Sequence, residues 1–484
     1  MADTPAYPTD LQLYIDGEWI GRGDRDVQAV VNPESGETLA ELPLATTDDL
    51  DRALAAAEIG FREWRNRDVN ERGAMLRKTA ELLRERAGEI APLLTMEQGK
   101  PVKEAIGEVI GAAALFDWFA EEARRAYGRV LVRPPGQRSV VLQQPIGPVA
   151  AFSPWNFPHF LMARKLAPAL AAGCSIICKP PEETPACAAA LMKCVADAGV
   201  PGNVAQLVHG VPAEVSSHLI ASPVIRKLSF TGSVPVGKHL MKLAAENVTR
   251  TTMELGGHAP VLIFDDCDLA RTLDILVPQK FRNAGQVCVA PTRFYVQSGV
   301  YDRFVEEFTS RTEQFTVGSG LEDATQMGPL ANARRPEAVG ALIDEAKANG
   351  ARVATGGARY TPTGKDGGFF FQPTVLADVP LEARIMSDEP FGPVALMRPF
   401  DSFDEAIEQA NRLPYGLAAF AFTENGRQAN RLGDLIEAGM VGINTVGISS
   451  ADAPFGGVKQ SGYGSEDGIE GLQAYMVTKA VHQA

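Results

Sequence analysis

"IRKLSFTGSVPVGKHLMKLAAENVTRTTMELGG", residues 225–257, sets the architecture. "IRKLSFTG" reads as a strand that stops at a small, glycine-bearing turn. "SVPVGKHLMKLAAE" reads as a helix, and "TRTTMELGG" returns as a second strand. Strand, turn, helix, strand is the βαβ unit, whose strands lie parallel because the helix carries the chain back across the sheet.

The same rhythm runs upstream from residue 146. "GPVAAFS", "SIICK" and "VAQLVHG" read as strands, and "FLMARKLAPALAAG", "TPACAAALMKCVADAG" and "PAEVSSHLIAS" as the helices between them. Repeated βαβ units predict a doubly wound parallel sheet that binds ligands at its strand C-termini. A second α/β segment spans about 256–425, with helices near 268–283, 301–314 and 334–349 and strands at 370–376 and 393–399. "GLAAFAFT" and "GMVGIN" add two more strands, and "LQAYMVTKAVHQ" turns from helix to strand. Before the first sheet come a strand-rich arm, 1–25, and a helical stretch, 47–127. The latter opens on Thr and Asp capping candidates in "TTDDLDRALAAAEIGFREW". Residues 129–144 read as two short strands about a Pro-Pro-Gly turn.

The 484-residue chain is 45% hydrophobic and 22% charged, an ordinary globular composition with length for two or three domains. Its net charge of −14 argues against nucleic acid and anionic membranes as partners. The six cysteines, at 174, 178, 187, 194, 267 and 288, form no paired CxxC set and suit a reducing compartment. The N-terminus has neither the basic nor the apolar region of a signal peptide, and "LAPALAAGCSIIC" is too short to cross a bilayer. A cytoplasmic protein is the expectation. No HExxH or zinc-spaced Cys/His cluster occurs, so no metal is expected. "RGD" at 22–24 and "NVT" at 247–249 are short matches without supporting context.

Four strand tips carry polar chemistry: "SPWNFP" with Asn156, "KPPEETP" with Lys179 and Glu182, "FTGSVPVG", and "MELGG" with Glu254. Taken singly, each is a β–α turn or a solvated loop. Together they meet at one edge of one sheet. Further on, "FRNAGQVCVA", residues 281–290, holds Cys288, which alone reads as a small buried hydrophobe.

The ordered set "SPWNFP", "KPPEETP", "FTGSVPVG", "MELGG", "FRNAGQVCVA", "EPFGPV" and "PFGGVKQSGYG" resembles the aldehyde dehydrogenase superfamily over about residues 11–480, and within it the succinate-semialdehyde dehydrogenases. The resemblance implies an α/β fold of three parts. A Rossmann-like NAD-binding domain would take 1–128 and 146–254, and an α/β catalytic domain 255–440. A small β oligomerisation extension would take 129–145 and 465–484, with 441–464 returning to line the active site. It implies a homodimer or homotetramer acting on a small-molecule aldehyde.

It also implies roles. Cys288 is the nucleophile, Glu254 the base, and Asn156 an oxyanion donor with the Cys288 backbone N–H. Pro154, Trp155, Lys179, Glu182, Phe230, Thr231, Gly232, Ser233, Leu255, Glu389 and Phe391 would hold the cofactor. Glu182 would sit by the adenosine ribose and favour NAD over NADP. Arg164, Arg282, Ser449 and Phe455 would hold the substrate, the first three gripping the far carboxylate of a semialdehyde. Two guanidiniums in one pocket need an anion to neutralise them. The alternatives are a dehydrogenase for neutral or aromatic aldehydes, with Arg164 and Arg282 only structural, and a catalytically silent relative. Two positions depart from the family pattern. Ala290 stands where some relatives carry a second cysteine, and Ser465-Glu466 replaces the usual Arg-Glu.

Overall fold

The computed structural model describes residues 6–362, 364 and 366–484. Residues 1–5 of the expected N-terminal arm lie outside them. The first sheet runs, edge to edge, Glu18–Ile20, Leu13–Ile15, Ala205–Leu207, Ile176–Lys179, Val149–Phe152, Lys227–Gly232, Arg250–Leu255 and Gly462–Tyr463. The five central strands are parallel, with Lys227 level with both Val149 and Arg250. Sequences such as "VAAF" and "IICK" suit strands buried on both faces. From Val149–Phe152 the chain steps outward to one side and later resumes on the other. The crevice beyond its C-terminal end, between Phe152 and Gly232, is therefore the topological switch point of the sheet.

Local chemistry fixes the helices that flank it. Pro158–Ala172, Pro185–Asp197 and Pro212–Ala221 each begin on a proline, whose missing N–H costs nothing in the first turn. Thr46 and Asp49 exchange side-chain and backbone bonds in a capping box that starts Thr47–Trp64.

The second sheet runs Arg352–Thr355, Thr374–Ala377, Val394–Phe400, Arg293–Gln297, Pro260–Ile263, Ala418–Phe422 and Met440–Ile443, parallel but for the first strand. The strand expected at 370–376 starts only at Thr374. Pro373 has no N–H for the ladder, and Phe371 makes an isolated bridge to Arg359 instead. A separate antiparallel ribbon joins Met476–Gln483, Arg138–Pro145 and Arg129–Leu131. Only the end of 465–484 enters this ribbon. Glu466 and Asp467 turn inward to buried cations of the helix Pro158–Ala172.

Candidate active site

A cavity of ≈ 280 Å³ opens at the switch point. Among its lining residues are the expected Pro154, Trp155, Asn156, Thr231, Gly232, Ser233, Glu254, Leu255, Cys288, Glu389, Phe391 and Phe455. Gly256 of "MELGG" lines it too, as do Leu161, Arg335 and Leu417, which sequence reading did not assign to the site. Lys179, Glu182, Phe230, Arg164, Arg282 and Ser449 do not reach its wall.

Cys288 follows a forced turn. The helix Leu269–Phe281 ends, and Asn283, Ala284 and Gly285 adopt left-handed φ values of 48°, 52° and 70°. A side chain at Gly285 would put its Cβ 2.1 Å from the Gly392 carbonyl oxygen, so only glycine fits against the "EPFGPV" loop. Asn283 holds the strain. Its N–H donates to Glu104 Oε2 at 2.9 Å, its Nδ2 to the Asn156 carbonyl at 2.8 Å, and its Oδ1 accepts from Gln98 Nε2 at 2.8 Å. The thiol packs on Leu417, Met440 and Phe455. Burial pushes it up to about 12, with Glu389 and Glu254 adding and Arg164 opposing.

Asn156 Nδ2 donates to the Gln286 carbonyl at 3.0 Å, while the Asn156 carbonyl accepts Lys100 Nζ at 2.8 Å. Asn156 Nδ2 carries two hydrogens, Gln286 takes one of them, and the residue lines the cavity beside Cys288. Lys100 is fully buried and paired with Glu108 at 2.5 Å. The other Glu108 oxygen accepts the N–H groups of His159 and Phe160, capping the helix that bears Arg164 and Lys165. Sequence reading missed this web, because nothing local marks a lysine that will be buried.

Glu254 ends the strand Arg250–Leu255 with both carboxyl oxygens buried and without a hydrogen-bond partner among the described residues. Burial holds it well above the usual carboxylate range; Glu466 adds, and Lys165 and Arg164 oppose. Lys165 Nζ lies 2.5 Å from Glu466 Oε1 and donates to Thr231 at 2.8 Å. Glu389, pushed up to about 8 by burial with Arg335 opposing, sits where a Cβ on Gly256 would be 2.8 Å from its Oε2.

The cofactor-side residues form a cradle. A Cβ on Gly232 would meet the Phe230 ring at 2.4 Å, so the turn stays bare. Ser233, the N-cap of Val234–Glu246, makes no side-chain cap bond, and both Gly232 and Ser233 line the cavity. Open amides at a helix N-terminus suit a pyrophosphate. Lys179 and Glu182 form a buried ion pair at the tip of Ile176–Lys179, separated from Lys227–Gly232 by the strand Val149–Phe152. These residues fit a dinucleotide.

The substrate residues divide. Arg164, Ser449 and Phe455 come together, whereas Arg282 lies over the Phe157 ring at 5.1 Å. The Arg164 guanidinium sits between Phe160 and Phe455, 4.6 and 4.0 Å from their centroids. Phe455 thus stands between it and the cavity. Its counter-ion is in the chain: Nε donates to Asp467 Oδ1 at 3.1 Å and Nη2 lies 2.7 Å from Oδ2. Arg164 therefore carries the salt bridge of the structural reading, in contact with Ser449 of the substrate reading. Burying Arg164 required an anion, and a residue 303 positions away supplies it.

Residues 19–481 match the model of the aldehyde dehydrogenase family. A 4-(hydroxymethyl)benzenesulfonate dehydrogenase of Comamonas testosteroni is 52% identical, covering 97% of this chain and 98% of its own. A succinate-semialdehyde dehydrogenase [NADP(+)] of Escherichia coli K12 is 41% identical, covering 97% and 96%. The crystal structure of a succinate-semialdehyde dehydrogenase from Burkholderia pseudomallei superposes with a TM-score of 0.96 at 40% identity, covering 100% of this chain and 99% of that one. The chain belongs to the aldehyde dehydrogenase family, whose members oxidise aldehydes to acids with NAD(P).

Proposed function

We propose that this member of the aldehyde dehydrogenase family carries its substrate on Cys288 and releases it as the acid through Glu254. The observation behind this reading is the meeting of the Cys288 thiol, the Asn156 amide and the unpartnered Glu254 carboxyl on one cavity. The Cys288 thiol gives its proton to the Glu254 carboxylate, which passes it to solvent, and the sulfur attacks the aldehyde carbon. The oxyanion that develops draws on the free Asn156 N–H and the Cys288 backbone N–H. NAD(P)⁺, when bound, supplies the hydride acceptor for the thiohemiacetal carbon. The resulting thioester needs water. Glu254, in its carboxylate form, takes a proton from that water as it attacks, and the Cys288 sulfur departs. Lys179, Glu182, Gly232, Ser233 and Glu389 would hold the dinucleotide. Glu182 is fixed by Lys179 and favours NAD⁺ by repelling a 2′-phosphate.

For the substrate body, we infer an apolar or aromatic aldehyde. Leu161, Leu417 and Phe455 form the wall beside the thiol, and Arg164 is neutralised behind it. The benzene ring in the name of the 52% relative agrees with this, while the sulfonate in the same name is a remote anion and favours the second reading below. A carboxylated semialdehyde is the second reading. The 2.9 Å hydrogen bond from Arg164 Nη2 to the exposed Ser449, and the succinate-semialdehyde dehydrogenases among the relatives, favour it. An NADH-absorbance screen of benzaldehyde, butanal and succinate semialdehyde decides. The aromatic reading expects the highest kcat/KM with benzaldehyde; a tenfold or greater lead for succinate semialdehyde would hand the site to the second reading. Val130 and Val132, 72% and 94% exposed on the ribbon, support a homodimer or homotetramer, and six free cysteines support a cytoplasmic setting.

A further inference from the structure

We infer that Asp467 is a built-in competitor for the Arg164 guanidinium and so sets how well this enzyme accepts aldehydes that carry a remote anion. The inference rests on the reading that the aldehyde carbon sits at Cys288 with its far end toward Phe455. Three observations carry it. Asp467 is fully buried and Arg164 is 2% exposed, so the pair is shielded from water, which would otherwise weaken it. The Asp467 carboxylate spans Nε and Nη2 of Arg164, and the aromatic rings of Phe160 and Phe455 cover the guanidinium faces. Asp467 is also held at φ 58°, a backbone conformation that glycine adopts freely and aspartate does not. The fold thus keeps a carboxylate here against local strain.

The neighbouring charges balance. Lys165 pairs with Glu466 just beyond, and burial raises the Glu254 carboxyl well above its usual range. An anionic substrate that reaches past Phe455 meets a guanidinium already neutralised. It must displace the Asp467 carboxylate, or that carboxylate must take up a proton. Burial pushes Asp467 up to about 7, with Arg164 opposing and Glu466 adding, so such a proton is within reach near neutrality.

Calorimetry of succinate binding tests this without turnover. Asp467→Asn should bind succinate at least about tenfold more tightly than wild type, the size of a freed charge-assisted pair. Asp467→Gly, which also relieves the strain, should shift the same way. Equal affinities in wild type and a folded variant overturn the proposal. The kcat/KM ratio of succinate semialdehyde to butanal should rise by a similar factor, and taking the ratio cancels any common effect on the thiol. Should neither variant fold, wild type suffices. Its succinate affinity should strengthen from pH 8.5 to 6.5 as Asp467 gains its proton, and a flat profile overturns the proposal. Failure of every aldehyde to turn over would instead count against the Cys288 reading, and the succinate measurement would still stand or fall by itself.

Discussion

The side-chain amide of Asn156 donates across 3.0 Å to the backbone carbonyl of Gln286, two residues before the nucleophile. One of its two N–H groups is thereby anchored, and the other is left for a developing oxyanion. Asn156→Ala should lower kcat about 10²–10³-fold, as removal of one oxyanion donor does. NAD⁺ affinity should hold, because the cradle at Gly232 and Ser233 is untouched. Undiminished kcat in the variant would remove Asn156 from this role.

Glu254 gives the pH dependence. Burial, with Glu466 adding, raises its carboxyl well above the usual range. A group with a raised pKa keeps its proton below that value and becomes a base only above it. Turnover should therefore climb with pH above the usual carboxylate range, where an ordinary glutamate would already be fully ionised. Glu254→Gln should lose about 10²–10⁴-fold in steady-state rate and climb less steeply, the raised Cys288 thiol alone then setting the slope. A variant profile that still rises in parallel with wild type would assign the titration to another group.

Cofactor choice follows from Glu182, fixed at the strand tip by its ion pair with Lys179. Wild type should favour NAD⁺ over NADP⁺ by roughly tenfold or more in kcat/KM. Glu182→Ser should narrow the gap. Equal use of both cofactors by wild type would contradict the assignment.

Stability of the site depends on Lys100 and Glu108, both fully buried. Glu108→Ala leaves Lys100 as an unpaired buried cation and strips the cap from Pro158–Ala172, a loss of about 3–5 kcal/mol. Glu108→Gln keeps an acceptor for the two amides and should lose less. A thermal-shift comparison checks the order; a Tm for Glu108→Ala within about 1 °C of wild type would mean that the pair contributes little.

The sheet was legible because its signals are local. The helices that begin on Pro158, Pro185 and Pro212, and apolar runs such as "VAAF", announce themselves within a few residues. The strand tips of Asn156, Gly232 and Glu254 follow from that topology. The polar web around them was not legible. Lys100–Glu108, Gln98–Asn283 and Arg164–Asp467 are pairings of buried groups set by packing, and the last spans 303 positions. Charge in a sequence reads as surface until a partner is in place, so Arg164 looked like an empty anion site. Its counter-ion lay in "SEDG", where only the missing arginine had drawn notice.

The central claim is that the aldehyde carbon becomes bonded to Cys288. The most direct test mixes Glu254→Gln with NAD⁺ and benzaldehyde, quenches in acid after one turnover, and maps the protein by mass spectrometry. The account predicts one equivalent of NADH and a benzoyl thioester on the peptide bearing Cys288, absent when Cys288→Ala is added. An equivalent of NADH formed while Cys288 remains unmodified would contradict it.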